Sequence, residues 1–69
     1  MAESVYKIIE LVGTSTESWE AAARAAVERA SSTLRDLRIA EVDKLDRTVD
    51  NNKVALYRAK IKLSFKYEE

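Results

Sequence analysis

The sequence predicts an α+β protein in which a three-stranded antiparallel sheet, ordered 1-3-2, is partly wrapped around one helix in a β-α-β-β arrangement. Three observations predict this fold. Residues Tyr57 to Tyr67 alternate strictly between apolar and polar side chains, which is typical of a strand with one buried face. An apolar stripe with helical spacing runs from Trp19 to Leu34. A polar break at 50–53, rich in asparagine, separates two strand-like segments and fits a tight hairpin turn.

The first element is a predicted strand from Val5 to Val12. It carries apolar residues on both faces, interrupted only by Lys7 and Glu10. A strand that is partly covered on both sides has this pattern. We expect Gly13, the sole glycine of the chain, to end the strand.

A predicted helix follows. The segment Thr14-x-x-Glu17 has the spacing of a capping box and predicts the helix start. Helical signal fades at 31–33, where two serines and a threonine follow each other. The stripe contains many small residues, so the helix axis can lie close to a sheet. Its members are Trp19, Ala22, Ala23, Ala26, Val27, Ala30 and Leu34.

Two further strands complete the sheet, the second beginning at Leu37 and the third spanning Val54 to Tyr67. Alternation in the second strand is imperfect, and a β-bulge near 43–45 would reconcile its two halves. A right-handed crossover through the helix makes the first two strands parallel, with a slot between them that the third fills antiparallel to both. The basic residues of the third strand, Arg58, Lys60 and Lys62, would then lie between the acids of its neighbours, Glu10, Glu41, Asp43 and Asp46.

Length and composition limit the function classes. The 69 residues predict a single domain, 1–69, and a chain of this size buries only about 60% of the surface exposed when unfolded. Cysteine and histidine are absent, which excludes disulfides and the usual zinc site, so we expect oligomerisation to provide the missing stability. Twelve basic and twelve acidic residues give no net charge and argue against nucleic-acid or membrane partners. No apolar run approaches a membrane span, and we expect a soluble, cytoplasmic protein.

The sequence does not predict an enzyme. It contains no histidine or cysteine, no Gly-rich phosphate loop, and no serine placed beside a recognisable base.

Three other features have two interpretations each. Trp19 is a ligand platform or a packing anchor, and the basic stripe of the third strand is an anion site or a solvated face paired with acids. The acids Asp43, Asp46 and Asp50 are Ca²⁺ or Mg²⁺ ligands or ordinary surface residues.

The chain resembles the dodecin family over nearly its whole length. The residues that carry the resemblance are Val5-Tyr6-Lys7, Glu10 to Ser15, Ala26 to Ala30 with Thr33-Leu34-Arg35, Ala40-Glu41-Val42, and Tyr57 with the alternating run to Phe65. The resemblance implies a dodecin-like β-α-β-β chain, twelve copies of which close into a hollow shell. It also implies that riboflavin or a related flavin such as FMN binds pairwise between subunits.

Two pocket positions differ from flavin-binding dodecins. The family has a tryptophan two residues before the glutamate that matches Glu41, where it stacks on the flavin ring, and this chain has Ile39. The family also has a glutamine after the tyrosine that matches Tyr57, and this chain has Arg58. Stacking contributes roughly 1 to 3 kcal/mol per ring, so the changes predict weakened flavin binding. The ligand-binding residues implied are Ile39, Glu41 and Arg58.

The segments Ser18-Trp19-Glu20 and Tyr57-Arg58 look more like the branch described as calcium dodecins, and they make calcium the alternative ligand, without assigned metal ligands. We therefore expect a homododecamer that binds or stores a small molecule of flavin type in an altered pocket. The alternative is a structural or calcium-holding shell that binds no flavin. The expected partners are further copies of the chain and a small-molecule ligand.

Overall fold

The structure is a computed structural model that describes residues 3–67. It contains β1 (Tyr6–Ser15), α1 (Trp19–Ser31), β2 (Leu37–Asp50) and β3 (Lys53–Lys66). The strands form one antiparallel sheet in the order β1-β3-β2, with β3 in the centre. The predicted fold class and strand order are confirmed.

The sheet has two distinct faces. The inner face is the one that packs against α1, and it carries the fully buried side chains Ala59, Ile61 and Leu63 of β3. The outer face carries the alternate residues of β3, from Arg58 to Ser64, and no helix covers it in the described part of the chain. Residues directly opposite each other in an antiparallel pair project to the same face, so the register assigns each neighbour of β3 to one face or the other.

The helix lies unusually close to β1 because its buried stripe consists of Ala22, Ala26 and Ala30. Gly13 belongs to the contact, since a Cβ there would overlap the carbonyl oxygen of Ala22 and lie 3.1 Å from the Cβ of Ala26. The prediction that Gly13 ends the strand is wrong, because β1 continues to Ser15. Glycine is needed for the close approach of the helix, not for a turn.

The helix begins later than the capping-box spacing predicts. Ser18 is the N-cap, and its hydroxyl accepts a hydrogen bond of 3.0 Å from the backbone N–H of Ala21. The Thr14-x-x-Glu17 prediction is therefore wrong. Glu17 instead donates its backbone N–H to the hydroxyl of Ser15 at 2.9 Å, within the turn between β1 and α1.

The β2–β3 hairpin has the predicted turn. Asn51 and Asn52 both have positive φ, 52° and 63°, as a two-residue turn of type I′ requires. The predicted bulge is also present, as a register shift between Val42 and Lys44, and a further shift lies between Thr48 and Val49. A third shift lies between Leu37 and Ile39, and the parity of the β2 residues that face outward changes at each of the three shifts.

The chain is extended rather than spherical, with principal dimensions of 54 × 20 × 15 Å. Its radius of gyration is 14.3 Å, against about 11 Å for a compact domain of this length. The hairpin causes the difference, because β1 and α1 cover only part of β3 and leave its first residues paired with β2 alone. Within residues 3–67, no helix has both the length and the hydropathy of a membrane span.

Candidate functional site

All three predicted ligand residues lie on the outer face of the sheet. Ile39 is opposite Ser64, Glu41 is opposite Lys62, and Arg58 is opposite Asp46. Ser64 and Arg58 are six residue steps apart on β3, which is about 20 Å at roughly 3.3 Å per step. The structure therefore brings Ile39 and Glu41 together but places Arg58 at the other end of the face.

The Ile39 end of the outer face is apolar and open. Ile39 on β2 and Ile8 on β1 lie on either side of Ser64, and each is 59% exposed. On the helix side of the same edge, a cavity of about 150 Å³ is lined by Val27, Leu37, Arg38, Ile39, Ala40 and Leu63. Two exposed isoleucines beside a small hydroxyl provide a flat apolar surface that a ring or another protein chain can cover.

The Arg58 end is polar. The guanidinium of Arg58 donates two hydrogen bonds to the carboxylate of Asp46, from Nε to Oδ1 at 2.8 Å and from Nη2 to Oδ2 at 3.1 Å. The hydrogen bond from Arg58 lowers the pKa of Asp46 below its ordinary value, and the same bond raises the pKa of Arg58. Both groups are therefore charged at neutral pH, and the pair as a whole carries no net charge.

Trp19, at the start of α1, contacts the two strands of the hairpin next to this pair. Its indole Nε1 donates a hydrogen bond of 2.9 Å to the backbone oxygen of Asp46. Its ring contacts the ring of Tyr57 edge to face at 5.2 Å between centroids, and the guanidinium of Arg47 lies 5.2 Å from the Trp19 ring. Of the two interpretations of Trp19, the structure supports the packing anchor, because the ring joins α1 to both strands of the hairpin.

The lysines in the middle of the outer face are paired with acids. Lys60 Nζ lies 3.6 Å from Glu10 Oε1 and 3.8 Å from Asp43 Oδ2, and Lys62 Nζ lies 4.0 Å from Glu10 Oε2. All four side chains are partly exposed, so each pair contributes little to stability. This arrangement agrees with the predicted solvated face flanked by acidic neighbours.

The described acids of one chain do not form a metal site. Among residues 3–67, no group of three or more acidic side chains is placed to hold a metal ion. Asp43 and Asp46, two of the candidate calcium ligands, are instead engaged with Lys60 and Arg58. Within residues 3–67, the acids of one chain therefore offer no cluster of three carboxylates of the kind a calcium ion prefers.

The family of the chain follows from comparison with known proteins. The family model described as Dodecin matches residues 5–68. The chain belongs to the dodecin family. It is 48% identical over 63 residues to the calcium dodecin of Mycobacterium tuberculosis, covering 91% of this chain and 89% of that protein.

Solved dodecin structures have the same fold. The dodecin of Streptomyces coelicolor superimposes with a TM-score of 0.92 and 39% identity, covering 100% of this chain and 99% of that chain. The calcium dodecin of Mycobacterium tuberculosis, a calcium-chelating antigen with a novel calcium-binding site, has a TM-score of 0.83 and 47% identity over 94% of this chain and 93% of that chain. The resemblance noted in the sequence is confirmed.

The sequence predicts that Asp46 lies beside the basic residues of the third strand, but it does not identify Arg58 as its partner. Asp50 pairs with Lys53 beside the turn. If the hairpin continued from there without a bulge, Leu45 would lie opposite Arg58. The register shift next to Thr48 moves Asp46 into that position instead. Only the opposite charges of positions 46 and 58 hint at this pairing in the sequence.

Proposed function

We propose that this dodecin assembles into a homododecameric hollow shell and binds a small molecule of flavin type between its subunits. The main support is that the isolated chain exposes more surface than a monomeric protein of its mass does. The chain exposes 5505 Å², whereas a monomeric protein of its mass exposes about 4,400 Å². The difference, about 1,100 Å², exceeds the roughly 800 Å² that one partner buries in a standard protein interface.

The character of that surface also supports assembly. Large hydrophobic side chains are exposed on both faces, including Val42 and Leu45 on the inner face of β2, where the helix does not reach. Further copies of the chain would cover them, since apolar side chains left exposed in clusters mark sites of protein–protein contact. The exposed set is Val5, Tyr6, Ile8, Val12, Ile39, Val42, Leu45, Val49, Val54 and Tyr67.

A ligand pocket of this shell would draw on more than one copy. Because Arg58 is about 20 Å from Ile39 in one chain, a single ligand that contacts both must take Ile39 and Glu41 from one subunit and Arg58 from another. Ile39 offers an apolar contact to the ring, Glu41 an acceptor, and Arg58 hydrogen-bond donors. These groups bind and orient a ligand, and we assign no catalytic role to any of them.

Two measurements test the proposal. Light scattering coupled to size exclusion, followed by native mass spectrometry, should give the mass of twelve chains and show any retained ligand. Titration of the protein into riboflavin should quench the flavin fluorescence in a saturable way. A stable monomer in dilute neutral buffer would overturn the shell, whereas a twelve-chain particle that leaves riboflavin fluorescence unchanged would overturn only the flavin ligand.

A calcium-holding or structural shell is the second candidate. The favouring observation is the 48% identity to a relative named calcium dodecin, whose structure is described as containing a calcium-binding site. In this version the particle forms, flavin does not bind, and carboxylates of neighbouring subunits hold the ion. Calorimetric titration with CaCl₂ should then release or absorb heat saturably, with MgCl₂ as the matched control. Loss of the heat signal after the protein is dissociated would place the ion between subunits.

A further inference from the structure

We propose that Asp46 determines the charge selectivity of the ligand pocket, by neutralising Arg58 so that the pocket favours an uncharged ring system over its phosphorylated form. The inference rests on the proposed flavin-type function. Asp46 contacts Arg58 and acts on the ligand through it, so Asp46 is a positioning residue.

The pair has the geometry of a strong ion pair. Asp46 and Arg58 are directly opposite each other on adjacent strands, and two hydrogen bonds of 2.8 and 3.1 Å join Nε and Nη2 to the two carboxylate oxygens. A bidentate arrangement fixes the plane of the guanidinium as well as its position. Of its five N–H donors, two are used, and those that remain can still donate to a ligand.

Asp46 is itself held in place. The indole of Trp19 donates to its backbone oxygen at 2.9 Å, and Trp19 contacts Tyr57, the residue that precedes Arg58 on β3. The helix therefore fixes both strands at the point where the ion pair crosses between them. Because neither partner of the pair has to be ordered when a ligand arrives, Arg58 presents its remaining donors in a defined direction.

The two lysines that follow Arg58 on the outer face of β3 are not neutralised in this way. Lys60 is shared between Glu10 and Asp43 at 3.6 and 3.8 Å, and Lys62 reaches Glu10 only at 4.0 Å. Arg58 alone among these three has a carboxylate of its own in a bidentate contact. A carbonyl oxygen of an uncharged ring gains hydrogen bonds from such a pair, whereas a phosphate gains little, since the carboxylate offsets the attraction.

The test compares riboflavin with FMN, which differ by one phosphate group. Asp46→Asn keeps an acceptor oxygen beside Arg58 and removes the negative charge. Its FMN affinity should rise relative to its riboflavin affinity by about two- to fivefold at low salt, and the gain should shrink at high salt. Asp43→Asn is the matched control. It removes a carboxylate from the same strand and face, but that carboxylate contacts Lys60 and not Arg58.

The outcomes separate this inference from the proposed function. If the wild-type particle binds neither riboflavin nor FMN, the flavin proposal fails and the role of Asp46 fails with it. If the wild type binds riboflavin but Asp46→Asn leaves the ratio of the two affinities unchanged, only the role of Asp46 is overturned. An equal loss of both affinities in Asp46→Asn, with none in Asp43→Asn, would show a purely structural role and would likewise overturn it.

Discussion

At the scale of single residues, Gly13 sets the distance between helix and sheet. Its φ is not positive, so its backbone conformation is open to other residues. What excludes them is the carbonyl oxygen of Ala22, which occupies the place of a Cβ, and the Cβ of Ala26 beside it. A backbone carbonyl inside a helix cannot move alone, so any side chain at this position must displace the whole helix.

We therefore predict that Gly13→Ala destabilises the protein by on the order of 1–3 kcal/mol, the usual cost of overpacking. Urea denaturation followed by circular dichroism measures the change at constant protein concentration. Thr14→Ala is the control, since Thr14 is exposed and lies next to Gly13 on β1. Equal stability of Gly13→Ala and Thr14→Ala would show that the helix has room to shift.

Ile39 and Arg58 give a second prediction. Restoring the residues of flavin-binding relatives, in Ile39→Trp and Arg58→Gln, should strengthen riboflavin binding. An added stacking ring contributes roughly 1 to 3 kcal/mol, so Ile39→Trp alone should raise the affinity by roughly five- to a hundredfold. Fluorescence titration measures it, with Val12→Trp as the control because it adds the same ring at an exposed position elsewhere on the outer face. An equal gain in both variants would indicate nonspecific adsorption.

The lowered pKa of Asp46 gives a prediction for acid conditions. Its carboxylate is favoured in the folded state, so the stabilisation is complete above the ordinary aspartate range and is lost as the pH falls through the lowered pKa. The stability difference between wild type and Asp46→Asn should consequently shrink on acidification. Urea midpoints of both proteins, measured from neutral to strongly acidic pH, test this expectation. A difference that stays constant over that range would mean that the charge of Asp46 does not contribute.

The sequence predicts some of these residue roles and not others. Ile39 and Arg58 stand out because the family resemblance supplies the residues they replace. Asp46 is predicted to lie beside the basic strand, but its specific partner is not predicted, since that partner depends on a register shift beside Thr48 that the side-chain pattern does not reveal. Gly13 is visible in the sequence, but its packing role is not, because sequence pattern alone cannot show how closely α1 approaches β1.

At the scale of elements, the hairpin turn restricts which residues can occupy its two central positions. Asn51 and Asn52 both have left-handed backbone conformations, which cost a β-branched residue on the order of 1–2 kcal/mol. We predict that Asn52→Val destabilises by about that amount, while Asn52→Gly is neutral or slightly stabilising. Urea denaturation compares the two with Lys53→Val, which adds the same side chain at a β3 position. Tolerance of valine at 52 would show that the turn rearranges at little cost.

Element boundaries follow from the sequence only in part. The helix end near Ser31, the start of β2 at Leu37 and the turn at Asn51 agree with their predicted positions, since periodicity and turn chemistry are local signals. The helix start does not agree, because several hydroxyl residues before Trp19 can serve as the N-cap. Ser18 is the one used, since β1 extends to Ser15 and leaves only a short turn before the helix.

At the scale of the whole molecule, uncovered apolar surface on β2 leads to a prediction for assembly. Val42 is 53% exposed on the inner face, beside buried Ile61 but beyond the reach of α1. Val42→Asp should dissociate the particle into smaller species, because a buried unpaired carboxylate is costly at an interface. Light scattering with size exclusion measures the mass. Thr16→Asp adds the same charge to an exposed loop and should leave the mass unchanged; a full-size particle from Val42→Asp would contradict the interface.

The topology could be predicted from the sequence because few arrangements satisfy its constraints. Two strands joined through a helix run parallel, and only the basic strand can lie between them, so β3 must be central. The relation between copies could not be predicted in the same way. It depends on how surfaces such as Val42 and Ile39 fit together in three dimensions, and one chain does not specify that fit.

The position of Trp19 also has a practical consequence. It is the sole tryptophan of the chain, and it lies between α1 and the hairpin in contact with Tyr57 and Arg47. Its near-ultraviolet emission should respond when the helix separates from the strands, without any attached dye. The protein thus contains its own optical reporter of unfolding, at a site distinct from the buried alanine stripe that holds the helix.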